Sequence, residues 1–387
     1  MTSNFRYLLE LLRCAVSGST PPPIPEGVTP EAVFSLAKRH SVFLLAFDCA
    51  MQLSSVRENP HFPAWMQQYH LYLTKTLNQT YEIEHLDALY NTEGIAHVFL
   101  KGASLRKLYP TPELREMSDI DLLVPVEQAE EAYAAAQRDG YVSNGSASHN
   151  EAFFKPPFIE LELHTYMVPT ENKYFDYYRS VWSRAKREGT SDTYTFGAED
   201  AYIFALVHTW KHYVGYGTGI RPIIDVAVLE RTYGDRLDRA YLKAELEKLS
   251  LTDFGENVMQ LAACWFGTER TELTAQQQRL EHRLLAGATY GTKEQSESNL
   301  LMKKMQQGKS ERRAKTEIFF RQVFPPYSTM ASRFRWVGRV PVLLPAAWVA
   351  RWGQLLVTKP VALKRYYRWV RGLQLLQDDC DELKGKK

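Results

Sequence analysis

At 387 residues and 45% hydrophobic content the chain can bury a substantial core in two or three folding units, and no stretch approaches the ~18 uninterrupted apolar residues of a membrane span, which leaves a globular protein. Four cysteines, Cys14, Cys49, Cys264 and Cys380, show no paired spacing, which argues against a disulfide framework and against a zinc site. The net charge of +2 conceals a polarity: residues 301–387 carry 19 Lys and Arg against 6 Asp and Glu, a net +13, and the remainder carries −11.

In chain order, residues 1–94 are expected to be helical nearly throughout. The opening MTSNFRYLLELLRCAVSG has the apolar spacing of an amphipathic helix and lacks the charged start, apolar centre and cleavage site of a signal peptide, so a cytoplasmic protein is expected. After the loop GSTPPPIPEGVTP, the run TPEAVFSLAKRHSVFLLAFDCAMQL starts with Thr29 as cap and Pro30 in the first turn, and its apolar residues recur at three-to-four spacing. The period then shifts. IAHVFL and DIDLLV read as short strands, VEQAEEAYAAAQRDG as a helix ending at Gly140, and EAFFK and FIELELH as two more strands parted by Pro156-Pro157. Residues 95–198 thus form a small mixed α/β core. Helical spacing returns in 199–300, with AEDAYIFALVHTWKHYV and RPIIDVAVLERTYG, and a basic helical region follows over 301–387. The fold class expected is α+β.

Two aspartates inside an apolar strand pattern need a reason. Strand residues two apart face the same side, so Asp119 and Asp121 project together while Ile120 and Leu122 enter the core. Glu160, Glu162 and His164 alternate in the same way with Ile159, Leu161 and Leu163. If these strands are neighbours, several carboxylates converge, which is unfavourable without a cation; Mg²⁺, a hard ion that favours oxygen ligands and keeps positions open for phosphate, suits them. Just upstream, LKGAS ends a strand at a glycine before a helix-compatible run. Backbone N–H groups, the Ser104 hydroxyl and the charges of Lys101, Arg106, Lys107 and Arg115 are therefore available to phosphate oxygens.

The order strand, Lys-Gly turn, helix, then R-x-x-S-D-I-D-L-L-V resembles the polymerase-beta-like nucleotidyltransferase superfamily, and within it a bacterial family known as uncharacterised nucleotidyltransferases. The matching segments are Leu100–Ser104, Arg115–Val124 and the ELELH that ends at His164. The resemblance implies that Gly102 and Ser104 meet a triphosphate, that Asp119 and Asp121 bind metal, and that Glu162 is the third ligand, with Glu160 as its alternative. Two Mg²⁺ ions are implied, as is transfer of a nucleoside monophosphate from a nucleoside triphosphate to a hydroxyl on a small molecule, a sugar or a protein side chain, with release of pyrophosphate. A non-catalytic nucleotide-binding module of the same fold is the alternative. The chain departs from the family pattern at Ala103, where Gly or Ser is usual, and in using Glu as the third acid.

The helix containing His208, Lys211 and His212 on one face, and Arg221 after it, is similar to the basic helix that packs over the active site in relatives, so Lys211 and Arg221 are expected at phosphate or acceptor. The plainer reading pairs Arg221 with Asp225, one turn on. His164 is either a partner of the metal-binding carboxylates or a strand-end residue. Near the end, KRYYRWVRG interleaves Lys364, Arg365, Arg368 and Arg371 with aromatics, a composition that suits RNA or an anionic membrane and equally a solvated helix face.

Overall fold

The computed structural model describes residues 2–146, 149–267, 272–289, 291, 293–358 and 368–373. It divides into two units, one comprising Met1–Tyr213 with Thr218–Tyr290 and the other Val214–Gly217 with Gly291–Lys387. Among the described residues no helix is long and apolar enough to cross a membrane.

A five-stranded mixed sheet organises the first unit. Its strands are β1 (Val98–Phe99), β2 (Ile120–Leu123), β3 (Val142–Ser146), β4 (Asn150–Lys155) and β5 (Ile159–His164), in the spatial order β1-β2-β5-β4-β3. Only β2 and β5 run parallel, in a register that sets Asp121 opposite Glu162 and Leu123 opposite His164. The side-chain alternation anticipated for these strands holds. Ile120, Leu122, Leu161 and Leu163 are buried in a cluster that also takes Ile83, Leu86 and Tyr90 from the helix Phe62–Thr92 and Ala132, Ala135 and Ala136 from the helix Ala129–Arg138. Gly140 follows that last helix at φ +91°, a left-handed turn that glycine takes without steric cost. The opposite face of the sheet presents Asp121, Glu162 and His164, and Leu123 on that face joins a second and larger core.

That larger core is helical. Helices Ser3–Ser17, Pro30–Arg39, Phe43–Ala50, Ala198–Val214, Arg221–Tyr233, Arg239–Lys248, Thr252–Phe266 and Ala275–Ala286 contribute to one apolar cluster running from Tyr7 to Leu285. The expected regions 1–94, 95–198 and 199–300 thus all supply residues to one unit. Local signals set the helix ends: Thr2 accepts from the Phe5 amide, Asp238 accepts from the Tyr241 amide at 2.9 Å, and Thr274 and Gln277 form a capping box. Aromatic packing is dense around Phe34, Phe43, Phe47 and Trp65, with Phe43 and Phe47 stacked at 5.3 Å and Phe34 edge-on to Trp65 at 4.8 Å. Such pairs contribute about 0.5–1.5 kcal/mol each beyond area burial.

Three details depart from the sequence expectations. The run beginning at Thr29 is two helices, because Ser41 adopts φ +49° between them. IAHVFL supplies a strand of two residues, while His97 forms a bridge to Thr193. Strand β3 and a ribbon pairing Lys186–Arg187 with Tyr194–Thr195 have no counterpart in the sequence reading, being short and mostly polar.

The second unit packs helices Lys293–Met305 and Glu311–Val323 around Leu301, Ala314, Ile318, Val370 and Leu373. A smaller cluster joins Met330, Val337 and Ala347. Glu317 accepts from Lys304 and Lys309, and Asn299 donates to the Gly215 carbonyl at 2.7 Å. Of the basic aromatic stretch, Lys364, Arg365, Tyr366 and Tyr367 lie outside the described residues, as does Cys380.

Candidate active site

A cleft of about 910 Å³ opens in the first unit. It is lined by nine of the residues singled out from the sequence: Lys101, Gly102, Ser104, Arg115, Asp119, Asp121, Glu162, Lys211 and Arg221. They come from the turn after β1, the approach to β2, β5, and the helices Ala198–Val214 and Arg221–Tyr233.

Asp121 is the centre of the charge network. Its Oδ1 accepts from Lys101 Nζ at 2.6 Å and from His164 Nε2 at 2.8 Å, with Asp121 and His164 each only 3% exposed. Burial alone would raise the Asp121 pKa, but Lys101 and His164 hold its carboxyl well below the usual carboxylate range. His164 Nε2 also lies 3.2 Å from Glu162 Oε2, which accepts from Asn150 Nδ2 at 3.0 Å. The His164 hydrogen bond lowers the Glu162 pKa despite burial and the nearby Asp121. Asp121, Glu162 and His164 offer ligand atoms within 4.8 Å of one another. Asp119 stands just before β2, and its carboxylate makes no hydrogen bond within the described residues; burial and the charge of Asp121 push it up to about 6. Glu160, in contrast, is exposed and does not line the cleft. His164 is thus a carboxylate partner.

The turn that carries Lys101 and Gly102 is shaped by a second ion pair. Arg115 is 5% exposed and donates through Nε and Nη2 to the two oxygens of Asp225, both at 2.7 Å, while the Tyr109 hydroxyl adds a third bond to Asp225 Oδ1 at 2.7 Å. A Cβ on Gly102 would lie 2.8 Å from Arg115 Nη1 and 3.2 Å from Met117 Sδ, so this position requires glycine for close packing against the Arg115 loop. Arg115 holds this loop against the helix Arg221–Tyr233 through Nε and Nη2, while its Nη1 makes no hydrogen bond and the residue lines the cleft. Arg221 makes no pair with Asp225; it donates to the Glu116 carbonyl at 3.0 Å. Ser104 Oγ donates to the Lys101 carbonyl at 3.1 Å, closing the turn.

The helix Ala198–Val214 turns His208, Lys211 and His212 to the cleft as its spacing predicted. The two imidazoles stand edge to face at 4.5 Å. Burial and Lys101 keep His208 well below the ordinary histidine range, and burial and Lys211 bring His212 down to about 4, so both are neutral at pH 7. Lys211 is exposed and lines the cleft.

A family model described as an uncharacterised nucleotidyltransferase matches residues 26–267, a span that contains every residue of this network. The chain belongs to this family. It is a nucleotidyltransferase, and the resemblance read from the Lys-Gly turn and the D-I-D strand is borne out at the level of family, fold class and enzyme. No curated protein and no solved structure matches the chain. Tyr109 and Asn150 were missed by sequence reasoning, and Asp225 was paired there with Arg221, one turn before it, where the structure pairs it with Arg115 across 110 residues.

Proposed function

We propose that the enzyme transfers a nucleoside monophosphate from a nucleoside triphosphate to a hydroxyl acceptor, with Mg²⁺ held by Asp121, Glu162 and Asp119. The observation that carries this reading is the parallel β2–β5 register, which sets Asp121 beside Glu162 in a cleft that also holds Lys101, Lys211 and Arg221. The donor set fits a hard divalent cation: two adjacent carboxylates, and a third, half-buried, that makes no hydrogen bond among the described residues and is pushed toward its protonated form. When bound, such ions neutralise the triphosphate and make an acceptor hydroxyl more acidic.

The protein's own groups have separable tasks. His164 orients Asp121 and Glu162 through one nitrogen, so neither carboxylate is free to rotate away from the cleft. Lys101, Lys211 and Arg221 supply positive charge for phosphate oxygens, and the Lys101–Ser104 turn supplies backbone N–H groups. The Arg115–Asp225 pair fixes that turn relative to the helix bearing Arg221. His208 and His212, neutral at pH 7, add no positive charge beside Lys211. No covalent intermediate is required, because in-line displacement on phosphorus rests on positioning and charge.

The test is the thermal stability of the purified chain with Mg²⁺ and each of the four common nucleoside triphosphates. A ligand at about a hundred times its Kd stabilises the folded state by roughly 2.7 kcal/mol, a shift of a few degrees. A Mg²⁺-dependent rise with at least one nucleotide supports the reading; a folded chain that responds to none of them overturns it.

A further inference from the structure

Among the described residues, Lys101 is the only lysine or arginine ion-paired with Asp119, Asp121 or Glu162. Its ammonium lies 2.6 Å from Asp121 Oδ1, and its side chain is 21% exposed, so it is within reach of solutes entering the cleft. The backbone at Lys101 is left-handed, φ +45°, an uncommon state for a residue with a side chain. That turn brings the ammonium onto β2. Three carboxylates therefore face one lysine, and the lysine stands where a cation would be attracted most strongly.

We propose that the Lys101 ammonium is the resident counter-ion of the carboxylate site and exchanges with a divalent cation, moving from Asp121 to the incoming triphosphate. This rests on the metal-dependent reading above. A divalent ion at Asp121 repels an ammonium bonded to the same carboxylate, and the flexible four-carbon stem of lysine lets the charge move with the backbone fixed. Metal alone strands Lys101 without a partner. Polyphosphate alone, by drawing Lys101 away, leaves the buried Asp121 with His164 as its one remaining partner among the described residues. Each ligand relieves the cost imposed by the other, so the two bind with positive coupling that is reciprocal by linkage.

Calorimetric titration of the full chain with Mn²⁺, alone and with inorganic tripolyphosphate as a base-independent probe, tests this in wild type, Lys101→Met, Lys101→Gln and Asp121→Asn. In both Lys101 variants, Mn²⁺ alone is expected to bind about tenfold more tightly than in wild type, and the gain from tripolyphosphate is expected to shrink toward none. Melting temperatures identify any variant that fails to fold, and either Lys101 variant suffices. Mn²⁺ binding that is lost in Asp121→Asn and unchanged by Lys101 substitution overturns the exchange and leaves the metal site standing. No Mn²⁺ binding by folded wild type, with or without tripolyphosphate, overturns both.

Discussion

Two clusters in the first unit bring carboxylates and a histidine within 4.8 Å of one another: Asp121, Glu162 and His164 at the cleft, and Glu82, His85 and Asp139 beside β4. Each includes a lysine partner, but the lysines do different work. Lys155 reaches both carboxylates of its cluster, Glu82 at 2.7 Å and Asp139 at 2.8 Å; Tyr141 donates to Glu82 at 2.9 Å and His85 lies 2.9 Å from Asp139. None of these three residues lines the cleft. Among the described residues Lys101 pairs with Asp121 alone, and Asp119 is left without a hydrogen bond. Ligand-type residues in range are therefore not enough to mark a binding site. The distinguishing features are negative charge in excess of its partners and space beside it.

The sharpest way to break this comparison is to remove one acid from each cluster. Asp121→Asn is expected to abolish the Mg²⁺-dependent nucleotide response and to lower nucleotidyl transfer by about 10²–10³-fold with the fold retained, as read by calorimetry, turnover and circular dichroism. Arg115→Met leaves Asp225 buried without its charge partner and should destabilise the chain by about 3–5 kcal/mol in denaturant unfolding; a loss below about 1 kcal/mol would show that the turn does not depend on this pair. A histidine with no carboxylate partner extends the contrast. His40 is fully buried, accepts from the Ile220 amide at 3.3 Å, and is brought down to about 4 by burial and by Arg39. The folded chain thus binds fewer protons than the unfolded one. The stability conferred is complete above about pH 6.5 and is lost as pH falls toward 4, by up to about 3 kcal/mol, and His40→Gln should flatten that slope in unfolding midpoints at pH 7, 5.5 and 4. The smallest effect is expected from Glu82→Gln, a loss of about 1–2 kcal/mol in stability with nucleotide response unchanged. A lost nucleotide response in that variant would erase the distinction between the clusters.

Much of the β2–β5 pair was legible because β alternation is a strong local signal. Ile120 and Leu122 had to be buried, which left Asp121 for the other face, and the same logic placed Glu162 with His164. What could not be read was which strands are neighbours and in what register, since that depends on contacts distant in sequence. Glu160 and Glu162 were equivalent by periodicity; pairing of β5 with β2 separates them, by setting Glu162 against Asp121 and leaving Glu160 exposed. Arg115 was assigned by charge and proximity to the motif. Its actual partner, Asp225, sits on a helix that only the tertiary fold brings near. The ribbon at 186–195 was invisible because its residues carry no apolar alternation.

The apolar cluster around the helices does not stop where the family span does. Tyr7, Leu8, Leu11 and Leu12 precede residue 26, Leu280, Leu284 and Leu285 follow residue 267, and all seven are buried in the same cluster as Phe34, Leu206 and Val226. A fragment trimmed to the matched limits would strip two helices, Ser3–Ser17 and Ala275–Ala286, from this cluster and expose the surfaces they cover, at about 1.5–3 kcal/mol per large side chain. The smallest piece suited to biochemistry is therefore set by the hydrophobic cluster, and recombinant fragments should retain the helix Ser3–Ser17 and extend past Ala286.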